Sequence, residues 1–140
     1  GLPYPLVVQE FVNHDNVIWK VYVLGATPTT VQRPSLPNMT LDDIGEGQTL
    51  DFNSQRMNKA AASSAPTAAA SPPDVDTITT LARALSVQMG LSLYGVDVIR
   101  CKDSGEFMLV DMNYFPGYEG VPRFQEALAE HIMDLARTQK

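Results

Sequence analysis

Near the end of the chain two strand-forming runs stand close together, Ser92 to Cys101 and Glu106 to Asn113. Between them lies Lys102-Asp103-Ser104-Gly105, a set of turn formers ending in glycine. A connection this short joins strands only in antiparallel fashion, so the two runs form a hairpin. With the turn centred near Asp103–Ser104, position 97 falls opposite position 111 or close to it. Directly opposed side chains on one face stand roughly 5 Å apart at Cβ. Asp97 and Asp111 then face each other, and Asn113 shares the face of Asp111 because side chains at i and i+2 of a strand point the same way. Opposed like charges destabilise a sheet, so the pair calls for a cation between the carboxylates or for a proton on one of them. Carboxylate and amide oxygens are the hard ligands that magnesium takes between protein and phosphate. An acid–base pair of the glycosidase kind is a second use of two carboxylates. A plain strand end with turn residues is the third reading. The flanking Val96 and Val98 place Asp97 in a structured strand and favour the metal site.

The rest of the chain supplies strands and helices to pack against this hairpin. Pro5 to Val12 reads as a buried strand, and Asn13-His14-Asp15-Asn16 as a polar turn. In Val17 to Leu24, Trp19, Val21 and Val23 form an apolar face, and Ile18, Lys20 and Tyr22 the opposite one. Thr29 to Arg33 is a third short strand stopped by Pro34, and these three runs suggest an antiparallel meander. Ser35 to Asn58 reads as a long loop with a short strand near Leu50–Phe52. Residues Lys59 to Pro73 are low in complexity, rich in Ala, Ser and Pro, and read as a flexible insertion. In Asp74 to Met89 the residues Val75, Ile78, Leu81, Ala82, Leu85 and Met89 recur at helical spacing, with Gly90 as the stop. A last helix starts near Pro122 and is expected to pack through Phe124, Leu128, Ile132 and Leu135. The expected class is α+β: a mainly antiparallel sheet with two packed helices.

Composition narrows the function. A net charge of -6 argues against a general nucleic-acid surface, so an anionic ligand must be met by a local basic cluster. Lys20, off the core face, and Arg33, just before a turn, are the candidates; Ser35, Ser54 and Asn58 add hydroxyl and amide donors nearby. The lone Cys101 leaves no internal disulfide and fits a reducing compartment, with cytoplasm expected and nucleus as the alternative. No apolar run reaches membrane-spanning length, and no partner beyond small molecules is implied, so a monomer is expected. The start at Gly1-Leu2-Pro3-Tyr4-Pro5 reads as a linker entering a strand, hence a fragment whose N-terminal part lies elsewhere. His14 reads as a turn residue rather than a base. Neither a GxxxxGK[ST] nor a GxGxxG pattern occurs.

Six stretches in order carry a resemblance: Gln9-Glu10-Phe11-Val12-Asn13-His14, Lys20-Val21-Tyr22-Val23, Gln32-Arg33-Pro34-Ser35-Leu36, Phe52-Asn53-Ser54, Gly95-Val96-Asp97-Val98-Ile99, and Asp111-Met112-Asn113-Tyr114-Phe115-Pro116-Gly117-Tyr118-Glu119-Gly120-Val121. Together they resemble the inositol 1,3,4-trisphosphate 5/6-kinase / inositol-tetrakisphosphate 1-kinase family, which has an ATP-grasp fold. The resemblance implies that residues 1–140 are the C-terminal ATP-grasp lobe of such a kinase. It implies ATP as co-substrate, an inositol polyphosphate as acceptor, and magnesium, two ions, as cofactor. Gln9, Glu10 and Phe11 would lie near the adenine, Arg33 at the ATP phosphates, and Ser35, Ser54 and Asn58 along the nucleotide; the family more often carries serine where Asn58 stands. Lys20, Asn113 and Gly117 would hold the inositol phosphate, and Asp97, Asp111 and Asn113 the metal. The subdomain that closes over ATP from the other side is absent, so the chain alone is expected to be inactive or nearly so. An ATP-grasp carboxylate–amine ligase and an inactive nucleotide- or metal-binding fragment are the alternatives.

Overall fold

The computed structural model describes residue 5 and residues 7–45 and 71–138. In chain order these hold β1 (Val17–Leu24), β2 (Thr27–Pro34), a short α1 (Leu41–Ile44), α2 (Val75–Met89), β3 (Leu93–Arg100), β4 (Phe107–Asn113) and α3 (Phe124–Thr138). The strands form one antiparallel sheet in the order β2-β1-β3-β4. This is the α+β arrangement that the pattern predicts, but its wiring differs from a meander. β1 and β2 make a hairpin, and the chain then crosses to add β3 on the other side of β1.

That wiring leaves the run before β1 without a place in the sheet. The run from Pro5 to Val12 is not a strand where it is described, and Val7 and Val8 are 91% and 92% exposed. Its composition suits a strand, but both edges of β1 are taken, by β2 and by β3, so a strand before β1 has no neighbour there. β2 is longer than expected and includes Pro28 and Pro34. It lies at the sheet edge, where a residue without an N–H leaves no ladder bond missing. The expected strand near Leu50–Phe52 and most of the Ala-rich insertion lie outside the described residues; Pro73, at the insertion's end, is buried. Helix α1 falls within the stretch that reads as a long loop. The Thr40 hydroxyl and amide both donate to Asp43 Oδ2 at 2.7 Å, and Asp43 N returns a bond to Thr40 Oγ, a capping box closing one turn.

One face of the sheet is the core. Trp19, Val21 and Val23 of β1 stand opposite Val98, Val96 and Tyr94 of β3 and are at most 2% exposed. Helix α2 covers them with Ile78 and Ala82, flanked by Leu81 and Leu85. Tyr94 ties the layers together by donating its hydroxyl to Ala82 O at 2.7 Å. Asp74 caps α2 by accepting from Thr77 N, and Gly90 ends it in a left-handed conformation with φ 64°. Val75 and Met89, at helical spacing with the core residues, are exposed instead: they sit at the two ends of α2, beyond its contact with the sheet. Ile132 and Leu135, expected to pack, are likewise 56% and 43% exposed, because α3 touches the sheet only at one corner. There His131 Nε2 meets Ser92 Oγ at 2.8 Å beside the tight turn at Gly25.

Candidate functional site

The opposite face of the sheet carries the candidate site. β1 contributes Lys20 and Tyr22 to it, and the pairing Lys20↔Asp97 and Tyr22↔Gly95 sets β3 beside them. The hairpin then adds β4 with Asp97↔Asp111 and Gly95↔Asn113. This register depends on an irregularity. Beyond the turn the pairs run Arg100↔Phe107, Ile99↔Met108 and Val98↔Leu109, and a regular ladder would next set Asp97 against Val110. A bulge between Asp97 and Val98 leaves Val110 as the extra residue and brings Asp111 opposite Asp97. Without it Asp111 would turn to the core face, since a one-residue slip reverses every side chain.

Of the opposed carboxylates, Asp97 has a cationic partner and Asp111 a neutral one. Lys20 Nζ donates to both oxygens of Asp97, at 2.8 and 2.7 Å, with the two side chains 29% and 16% exposed. Asn113 Nδ2 donates to Asp111 Oδ2 at 2.8 Å, and both residues are exposed. Lys20, Asp97, Asp111 and Asn113, all expected at the site, therefore form one continuous polar patch. Among the described residues no group of three or more His, Cys, Asp or Glu side chains could hold a metal ion. The donor set is two carboxylates and one amide, which suits magnesium: that ion keeps several waters and completes its shell with substrate phosphates. It does not suit zinc, whose protein sites are built mainly around Cys and His.

A loop from Tyr114 to Val121 is pinned against this patch by aromatic packing. Tyr118 is 3% exposed, stacks on Phe124 with ring centroids 4.3 Å apart, and lies 5.3 Å from Tyr22. Burial, and secondarily the neighbouring Tyr22, pushes its phenol pKa up to about 12. Gly95 lets the loop approach: a Cβ there would stand 2.8 Å from Pro116 Cγ. Gly120, at φ 83°, faces Val31 and Arg33. Arg33 donates from Nη2 to Glu119 O at 2.9 Å and lies 3.6 Å from the Glu119 carboxylate. Arg33 is thus tied to the loop that carries the exposed Gly117.

The third group is gathered by a clasp between residues 13–16 and 35–39. Asn13 exchanges two hydrogen bonds with the backbone of Met39, at 2.9 and 2.8 Å. Asn38 Oδ1 accepts from the amides of His14 and Asp15, and Ser35 N donates to Asn16 O at 2.7 Å. Asp15 and Asn16 make the tight turn, at φ 53° and 62°. His14 opens that turn, its carbonyl accepting from Val17 N at 3.2 Å, but its side chain is not merely a surface turn group: it is 6% exposed, with Nδ1 2.6 Å from Val12 O and Nε2 2.7 Å from Ser35 Oγ. The β1–β2 register foreshadows this, because Val17↔Pro34 places the residues before β1 beside those after β2. Phe11 packs 5.9 Å from the His14 ring, and Gln9 and Glu10 are exposed in the approach to it. The clasp thereby links Phe11 to Ser35 through His14. Ser54 and Asn58 lie outside the described residues. Among those residues no helix is long and apolar enough to cross a membrane.

The chain is similar to known proteins along most of its length. The family model described as inositol 1,3,4-trisphosphate 5/6-kinase ATP-grasp domain matches residues 1–134. Inositol-tetrakisphosphate 1-kinase of Xenopus laevis is 38% identical over 134 residues, covering 91% of this chain and 34% of the relative. The Danio rerio protein of that name is 36% identical over 141 residues, covering 96% and 35%. Inositol-tetrakisphosphate 1-kinase 1 of Arabidopsis thaliana is 38% identical over 144 residues, covering 96% and 45%. The chain thus spans between a third and a half of the length of these curated relatives. With a match along nearly its whole length, the chain belongs to the inositol 1,3,4-trisphosphate 5/6-kinase ATP-grasp domain family.

Proposed function

We propose that this chain is the C-terminal, metal-binding lobe of an ATP-dependent inositol polyphosphate kinase, which transfers the γ-phosphoryl group of ATP to a ring hydroxyl. The observation that carries the reading is the bulged hairpin. It spends an irregularity to oppose Asp97 and Asp111 on one face, between Lys20 and Asn113. Magnesium held by Asp97, Asp111 and Asn113 would neutralise charge on the transferring phosphoryl group. The chain's own residues position the reactants. Lys20 is a mobile point charge suited to a phosphate of the acceptor, and Gly117 leaves backbone open for that acceptor to approach. Arg33, with its planar fork, suits the ATP phosphates. The segment Gln9–Phe11 borders the adenine, and Ser35 the rest of the nucleotide.

No side chain need form a covalent intermediate, since phosphoryl transfer to a hydroxyl works by positioning and charge neutralisation. The test is to incubate the full protein with γ-labelled ATP, magnesium and a panel of inositol phosphates. A labelled, more highly phosphorylated inositol product is expected. ATP turnover that depends on an amine and a carboxylate, with no labelled inositol, would instead make the protein a ligase and end this reading.

A further inference from the structure

His14 fixes which way the Ser35 hydroxyl can bond. Its Nδ1 lies 2.6 Å from Val12 O, a carbonyl that only accepts, so Nδ1 carries a proton. In a neutral imidazole the other nitrogen is then an acceptor, and the hydroxyl 2.7 Å away must donate to it. The ring is buried and wedged between two clasped loops, with Phe11 tilted against it, so it has no room to turn over. Ser35 is half-buried, with its backbone N–H held by Asn16 O. Its one proton is given to the ring, and its lone pairs are left to accept.

We infer that His14 is a positioning residue that makes Ser35 an obligate hydrogen-bond acceptor, so that Ser35 recognises a hydroxyl of the nucleotide sugar and not a phosphate oxygen. A phosphate oxygen can only accept, and Ser35 has no free proton to offer it. A sugar hydroxyl can donate. The inference rests on the reading above that Ser35 borders the nucleotide, and it adds which part of that nucleotide Ser35 contacts. His14 also links this contact to the segment that borders the adenine, through Val12.

Two measurements on the full protein test it. In the first, equilibrium binding compares ATP with 2′,3′-dideoxy-ATP. The wild type is expected to prefer ATP by roughly threefold to tenfold, the value of one hydrogen bond. Ser35→Ala and His14→Ala each bring that ratio near one, and the double variant lowers it no further. A general loss of structure would weaken both nucleotides and leave the ratio alone. Equal affinity of the wild type for the two nucleotides overturns the inference but not the kinase reading; no ATP binding at all overturns the kinase reading and removes Ser35's ligand with it. In the second, nitrogen-15 NMR reads the His14 ring in the wild-type protein, which requires no variant to fold. A protonated Nδ1 with a bare Nε2 is expected. A proton on Nε2, alone or with one on Nδ1, would free the Ser35 proton and overturn the inference.

Discussion

Replacing Gly95 by alanine probes how the Tyr114–Val121 loop is held over the face that carries Lys20, Asp97 and Asp111. Gly95 is buried in β3, and the added Cβ would stand 2.8 Å from Pro116 Cγ and 3.2 Å from Pro116 Cβ. Carbon atoms prefer about 3.5–4.0 Å, and a proline ring has no rotamer with which to retreat, so the loop backbone must move. Overpacking of this kind costs about 1–3 kcal/mol. Alanine also narrows the unfolded ensemble, which offsets about 0.4–1 kcal/mol of that. A net loss of roughly 1–2 kcal/mol is therefore expected, read by urea unfolding with the buried Trp19 as fluorophore. Pro116→Ala removes Cγ, the atom at 2.8 Å, and frees the backbone to carry the remaining Cβ, at 3.2 Å, back by a few tenths of an ångström, at a cost of a few tenths to about 1 kcal/mol through the freer unfolded chain. In that background Gly95→Ala should be neutral or slightly stabilising, a coupling of about 1–3 kcal/mol between the two sites. An equal loss with and without the Pro116 ring would refute the reasoning, because the penalty would then come from the strand and not from the loop.

Two further perturbations address the register and the cap of α2. Inserting one alanine after Val110 moves Asp111 along the strand, away from Asp97, and should abolish magnesium-dependent nucleotide binding; deleting Val110 regularises the ladder with the carboxylates still opposed and should retain it. Calorimetric titration of magnesium and nucleotide reads both, and the reverse outcome would show the pairing to be wrong. Hydrogen bonds from the Thr77 side chain and backbone hold the Asp74 carboxyl below its ordinary pKa. Because the folded value is the lower one, the contribution is present above the unfolded pKa of about 3.9 and lost as pH falls through the folded value. Asp74→Ala should lower the melting temperature at neutral pH, and the gap should close in acid; a gap that widens in acid would reverse the sign.

Much of the site-bearing face was legible because it rests on period-two patterning. The alternation in Val17–Leu24 separated Lys20 from the core triad of Trp19, Val21 and Val23, and the short polar turn at Lys102–Gly105 made β3 and β4 antiparallel neighbours. Turn position alone left Asp97 within one residue of its partner; the bulge at Val110 supplied that residue, and no local pattern announced it. The run at Pro5–Val12 misled because edge availability is a property of the assembled sheet, not of the segment. Pro28 shortened the expected β2 because a proline is tolerated at an edge, and the edge again appears only in the fold. Ile132 and Leu135 have helical spacing, but nothing in the described lobe covers them. The bond from His14 to Ser35 has no local signal, because the two lie 21 residues apart and are brought close only by the β1–β2 register.

The central claim is that Asp97 and Asp111 jointly carry a phosphoryl-transfer metal. Its most direct measurement is the magnesium-dependent rate of labelled inositol phosphate formation by the full protein with Asp97→Asn and with Asp111→Asn. Each amide keeps the shape of the side chain and removes one negative ligand charge. Each variant should lose at least about 100-fold in turnover, the scale set by removing one preorganised electrostatic contact in an active site, while melting no more than a few degrees from the wild type. Full turnover in both variants would contradict the account.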